Sequence, residues 1–223
     1  MPDDLIFASY PVFRALPERV TGLDRDVAVK EVAALFEDWA GRVEVRGGYS
    51  TAGFSATADL MFWWVARTPD DIADLTGAFR KTTLGRALEQ REAFLGLVRP
   101  AEFAPEHRPA FAEGKPPKKY LCVYPFVRTP EWYLLEPAER GALLKEHGTA
   151  AAAFKDVSAN TTSAFGLGDF EWILAFEADS IDRIVDLIRT LRATEARRYT
   201  KVEVPFVTGI RKDLAAVLDD LPL

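Results

Sequence analysis

The stretch LLKEHGTAAAAF, residues 143–154, holds His147, one of only two histidines in a chain of 223 residues. Leu143, His147, Ala150 and Phe154 recur at i, i+4, i+7 and i+11, the spacing of one helix face, so the imidazole points toward whatever that helix packs on. A histidine so placed has two readings. Either it is a core residue whose ring hydrogen-bonds a backbone carbonyl, or it is a neutral imidazole offered to a metal. A single imidazole with small neighbours such as Gly148, Thr149 and Ala150 is what the proximal side of a haem iron requires. A second constellation is YLCVYPFVR (120–128), where period-two alternation puts Tyr120, Cys122, Tyr124, Phe126 and Arg128 on one strand face. In plain structural terms Tyr124 is a core aromatic and Arg128 snorkels outward. Together with Trp132 in PEWYLL they would also suit a carboxylated aromatic ligand, the guanidinium taking a carboxylate and the rings serving stacking or electron transfer.

The rest of the composition excludes more than it selects. A net charge of -6 and a pI near 5.1 argue against a nucleic-acid partner, which would want a basic stripe. One cysteine and two separated histidines rule out a closed zinc site and an internal disulfide. No P-loop, Gly-x-Gly-x-x-Gly, His-Glu-x-x-His or Gly-x-Ser-x-Gly is present. The longest apolar run, LMFWWVA at 60–66, is far short of a membrane span, and MPDDLIFASY lacks the features of a signal peptide. A cytoplasmic protein without membrane attachment is expected.

The elements that must position these residues repeat. KEVAALFEDWAGRV places Val32, Leu35, Phe36, Trp39 and Val43 on one helix face. DLMFWWVARTPDDIADLTGAFRKT reads as a buried strand, a turn and a helix with Ile72, Leu75 and Phe79 inward, whereas ALEQREAFLGLV has no clear type. After the proline-rich stretch around 100–119, the order strand, helix, strand, strand, helix begins again. DFEWILAFEADSIDRIVDLIRTLRAT matches the earlier strand-turn-helix segment about 110 residues on. A β-α-β-β-α-β unit used twice is the ferredoxin-like arrangement, so the expected fold is α+β. The boundaries expected are an N-terminal repeat over 1–100, a connecting loop over 101–119 and a C-terminal repeat over 120–223. The tail IRKDLAAVLDDLPL, with Leu214, Val217, Leu218 and Leu221 at helical spacing, is expected to cap the fold or meet a neighbour.

YPFVRTPEWYLL, KEHG, FGLGDFEWILAFEA and LRATEARRY, in this order and spacing, resemble the coproheme decarboxylases of the chlorite-dismutase superfamily, in their actinobacterial branch. The resemblance is closest over residues 102–211. It implies a dimeric α+β barrel built from two fused ferredoxin-like repeats, the second one haem-binding, and a homopentamer. It also implies oxidative decarboxylation of propionates 2 and 4 of iron coproporphyrin III (coproheme) by hydrogen peroxide, through harderoheme to haem b. By the same resemblance His147 is the iron ligand, Tyr124 the radical tyrosine, and His107 in EFAPEHRPAF the distal base for peroxide. Arg128 would hold a propionate, Trp132 would lie near the macrocycle, and Asn160 would sit on the cofactor's distal side. Chlorite dismutases carry an arginine thirteen residues after the proximal histidine, where this chain has Asn160; a neutral amide disfavours chlorite chemistry. The branch with a methionine two residues and a lysine four residues after the tyrosine is also departed from, by Phe126 and Arg128. Contact with coproporphyrin ferrochelatase is implied by pathway resemblance alone. Two other classes stay open at this point: a haem-binding or delivery protein without turnover, and an assembly-only member of the fold that binds no porphyrin.

Overall fold

The computed structural model describes residues 5–102 and 108–222. In chain order its elements are β1 (Phe7–Ala15), α1 (Pro17–Val20), α2 (Arg25–Trp39), β2 (Val43–Ser50), β3 (Leu60–Ala66), α3 (Pro69–Phe79), α4 (Thr83–Ala87) and β4 (Leu88–Leu97). There follow β5 (Tyr120–Arg128), α5 (Pro130–Leu134), α6 (Pro137–Ala151), β6 (Ser158–Ser163), β7 (Trp172–Ala178), α7 (Ile181–Leu191), β8 (Thr200–Val202), β9 (Val207–Lys212) and α8 (Leu214–Asp219). Short 3-10 turns sit at Ala110–Glu113 and Glu195–Tyr199. The chain divides into two compact units, one running to Leu97 and resuming at Val207, the other spanning Val98–Phe206.

In the first unit the strands lie in the order β4-β1-β3-β2-β9, with every pairing antiparallel. The β4-β1-β3-β2 part with α2 and α3 is the ferredoxin-like β-α-β-β-α-β arrangement. The continuous apolar run of β3 has a physical cause. Leu60, Phe62 and Trp64 pack into the core with Val32 of α2 and Leu75 and Phe79 of α3, while Met61 and Trp63 on the opposite face are also fully buried. A strand covered on both faces loses period-two alternation. α3 starts where the Thr68 hydroxyl accepts the Asp71 N–H at 3.1 Å and Pro69 supplies the first-turn φ.

The second unit repeats the plan with strands in the order β6-β7-β5-β8, all antiparallel, and helices α6 and α7. β5 pairs with β7 from Tyr120 opposite Ala178 to Phe126 opposite Trp172. Cys122 and Tyr124 share their cluster with Phe176, Ile184 and Leu187, so the alternating face of β5 packs under α7. The α+β class and the two ferredoxin-like repeats expected from sequence are therefore present.

Two expectations change, and one segment left untyped is resolved. Residues 207–223 group with the first unit, where β9 pairs with β2 and Val217, Leu218 and Leu221 enter the core. Val43 is not on the α2 face, because that helix ends at Trp39 and Val43 opens β2. ALEQREAFLGLV is mostly strand, Leu88–Leu97.

Candidate functional site

α6 begins with Pro137 in its first turn and carries His147 near its other end. None of its fifteen residues is fully buried, and Leu143, His147 and Ala150 are half-covered. His147 is fixed by one side-chain contact, Nδ1 to the Thr194 Oγ1 at 3.3 Å. The Thr194 hydroxyl has its own proton committed to the Leu191 carbonyl at 2.8 Å, so toward the imidazole its oxygen accepts. That makes Nδ1 the protonated nitrogen and leaves the Nε2 lone pair without a partner among the described residues. Burial, with the nearby Arg128 charge, holds the imidazole pKa below its ordinary value, so it is neutral at neutral pH. A half-buried neutral ring with a fixed tautomer and one uncommitted nitrogen could hold a metal ion.

Tyr124 is 4% exposed on β5, with its ring stacked on Phe206 at 4.3 Å and 25° and with Phe176 at 6.1 Å. Burial drives the phenol pKa far above its ordinary value, reinforced by Cys122 and Glu203 and opposed by Arg192 and Arg197. The side chain therefore stays a neutral O–H. It can give up an electron and a proton together, but it does not ionise first.

Arg128 ends β5, where the register shifts against β8. Its backbone N–H is held by the Glu171 carboxylate at 2.8 Å, an oxygen that also accepts the Tyr133 hydroxyl at 2.6 Å. The guanidinium donates to the Ala196 carbonyl at 3.0 Å and lies 4.0 Å over the ring of Trp132 and 4.7 Å over that of Phe126. Burial lowers its pKa to about 10, which leaves it charged at neutral pH. Trp132, on α5, is 5% exposed and packs at 5.6 Å against Tyr199.

A family model described as chlorite dismutase matches residues 25–212. The chain belongs to the chlorite dismutase family. It is 47% identical over 218 residues, 97% of this chain and 94% of the other, to the coproheme decarboxylase of Mycolicibacterium smegmatis. Chlorite dismutase of Candidatus Nitrospira defluvii in complex with imidazole superposes with a TM-score of 0.87 at 26% identity, covering 98% of this chain and 95% of that one. A single-residue mutant of the same dismutase gives the same score and identity.

Within this chlorite dismutase family member, the residues that sequence singles out have different fates. His147, Arg128, Trp132 and Tyr124 lie in one unit, and the Arg128 charge acts on His147. His107 lies outside the described residues. Asn160 is fully buried in β6, with Oδ1 accepting the Phe111 N–H at 2.9 Å and Nδ2 donating to Glu177 at 3.0 Å. The other Glu177 oxygen accepts the Lys118 N–H at 2.9 Å, so the amide clips the segment entering β5 onto the sheet. Replacing Asn160 with alanine removes its buried hydrogen bonds to the Phe111 N–H and to the Glu177 carboxylate. It should lower unfolding free energy by about 3 kcal/mol in a denaturant titration; a loss near zero would show that the clip is not needed.

Sequence reasoning missed Thr194 and a charged cluster beside Tyr124. Glu203 takes both Arg192, at 3.3 Å, and Arg197, and Arg192 lies 5.7 Å over Phe206. The signal was visible as the basic run RTLRATEARRY, but its spacing says nothing of the glutamate that collects two of its arginines. Among the described residues no cluster of histidine, cysteine and carboxylates could hold a metal ion by itself. A single imidazole and several guanidiniums suit an iron porphyrin bearing carboxylates, whose ring supplies the remaining iron ligands.

Proposed function

We propose that this protein decarboxylates iron coproporphyrin III, converting propionates 2 and 4 to vinyl groups with hydrogen peroxide as oxidant, through harderoheme to haem b. The observation that carries the reading is the pairing, in one unit, of an imidazole with a free Nε2 and a buried, un-ionised tyrosine. The family membership and the decarboxylase relative support it. Bound coproheme supplies the redox centre at which peroxide is reduced. His147 offers Nε2 to the iron, and the Thr194 oxygen keeps its ring oriented. Arg128 pairs with a propionate carboxylate, and Arg192 and Arg197 are further cations for these anionic side chains. Tyr124 removes a hydrogen atom from the propionate β-carbon once it has itself lost one, and a pKa too high for ionisation makes proton and electron leave it together. His107 takes the peroxide proton.

Each propionate loses carbon dioxide, one proton and two electrons, and one peroxide with those electrons, that proton and a second proton from solvent becomes two waters. Two peroxides are thus consumed for the two vinyl groups. Titrating the purified protein with coproheme and then adding peroxide stepwise, with products separated by mass, tests the reading. Successive loss of two carboxyl groups supports it; bound coproheme of unchanged mass would replace it with a carrier or delivery role. The same reading carries a homopentamer, to be checked by light scattering, a cytoplasmic location, and transient contact with coproporphyrin ferrochelatase. Among the described residues no helix is long and apolar enough to cross a membrane.

Thr194→Val removes the oxygen that accepts Nδ1–H. Coproheme affinity should fall by roughly 10–100-fold, the usual effect of losing a partner of a metal-bound histidine, and Thr194→Ser should restore it. Equal affinity in the valine variant would remove Thr194 from the site.

A further inference from the structure

Trp132 stands between a fixed cation and a second oxidisable ring. The Arg128 guanidinium carbon lies 4.0 Å from its ring centroid, and the Tyr199 ring lies 5.6 Å away. Indole and phenol are the side chains most easily oxidised by one electron, and rings this close exchange electrons readily. Tyr199 is half-exposed, so a phenol oxidised there can release its proton to water. Left alone, the pair would carry oxidising equivalents away from Tyr124.

A cation is drawn to the face of a neutral indole by the negative quadrupole of the ring. Removing an electron from the ring turns that attraction into repulsion between two positive charges. The repulsion is strong here, because Trp132 is 5% exposed and Arg128 is largely desolvated, where charges are poorly screened. The guanidinium keeps its charge: its hydrogen bond is to a carbonyl, that of Ala196, while the Glu171 carboxylate hydrogen-bonds the backbone N–H and, with Glu203, favours the charged form from nearby. Among the described residues no such cation lies on the Tyr124 ring; its stacked neighbour is Phe206.

We propose that Arg128 is an electrostatic insulator, its charge on the face of Trp132 keeping that indole from being oxidised and so closing an escape route from Trp132 to Tyr199. The proposal rests on the decarboxylase reading only for the origin of the oxidant in the working enzyme. The geometry can be tested without coproheme or peroxide.

In the full chain free of porphyrin, flash-generated tris(bipyridine)ruthenium(III) takes one electron from the Trp132 indole and returns to ruthenium(II). The indole radical cation then takes an electron from the Tyr199 phenol, whose proton leaves to water, giving neutral indole and a tyrosyl radical. A nitroso spin trap followed by peptide mass mapping locates the radicals, separating Trp132 from the other four tryptophans. Arg128→Gln should raise trapped radical at Tyr199 by about tenfold, the rate change expected from losing one desolvated cation–π interaction. Arg128→Lys, which keeps the charge, should stay at the wild-type level, and adding Tyr199→Phe to Arg128→Gln should move the adduct onto Trp132. A glutamine variant equal to wild type, or a lysine variant as leaky as glutamine, would overturn the proposal, the latter because packing and not charge would then be responsible. A comparison without any change at Arg128 guards against misfolding. Tyr199→Phe alone should leave the wild-type adduct pattern unaltered, and loss of a large Tyr199 signal there would also overturn it. Because no step uses coproheme, failure here is distinct from failure of the decarboxylase reading.

Discussion

His147→Ala should lower the affinity for iron coproporphyrin III by more than about 100-fold, beyond the usual loss when a mere partner of a metal-bound histidine is removed. Among the described residues the imidazole is the histidine ring with an uncommitted nitrogen and a fixed tautomer, and alanine supplies nothing in its place. The variant should fold as well as the parent. α6 has no fully buried residue, so truncation opens no sealed cavity, and alanine favours helix more than histidine does. Free imidazole added to the variant should restore part of the binding. A core histidine would behave in the opposite way, with a lowered unfolding midpoint, unchanged coproheme affinity and no response to imidazole. Absorption titration beside thermal unfolding separates the two outcomes.

Tyr124→Phe should spare coproheme binding and reduce decarboxylation by about 10³-fold or more, the scale seen when a group on which the chemical step depends is deleted. Phenylalanine keeps the stacking on Phe206 and the contact with Phe176, so the loss falls on the hydroxyl alone. Mass analysis after peroxide addition should find coproheme unconverted. Turnover close to that of the parent would take the hydrogen-abstracting role away from this tyrosine and leave it a buried core aromatic.

The repeat was legible because each ferredoxin-like unit announces itself locally: a strand, a capped turn such as Thr68-Pro69, and a helix with apolar residues at i, i+3 and i+7. The facing of Tyr124 followed from period two within one strand. What stayed hidden depends on partners distant in sequence. β9 carries VTGIRK, a weak strand pattern, and its pairing with β2 joins segments more than 150 residues apart. For Asn160 the sequence offers only its position relative to His147; the N–H of Phe111 and the carboxylate of Glu177 that bond its amide leave no trace in local spacing. Thr194 likewise became meaningful only once a 3.3 Å contact tied it to His147, 47 residues earlier.

The placement of β9 and α8 bears on how the protein is made. During synthesis the ribosome completes every element of the unit holding His147 and Tyr124 before it delivers Val217, Leu218 and Leu221 to the core built around Phe62 and Trp64. Domains tend to fold as they emerge, so the later-encoded unit can mature first while the earlier one waits with an unfilled interior. A nascent chain stalled near residue 206 would expose that interior to chaperones and proteases even though the unit holding His147 and Tyr124 was already formed.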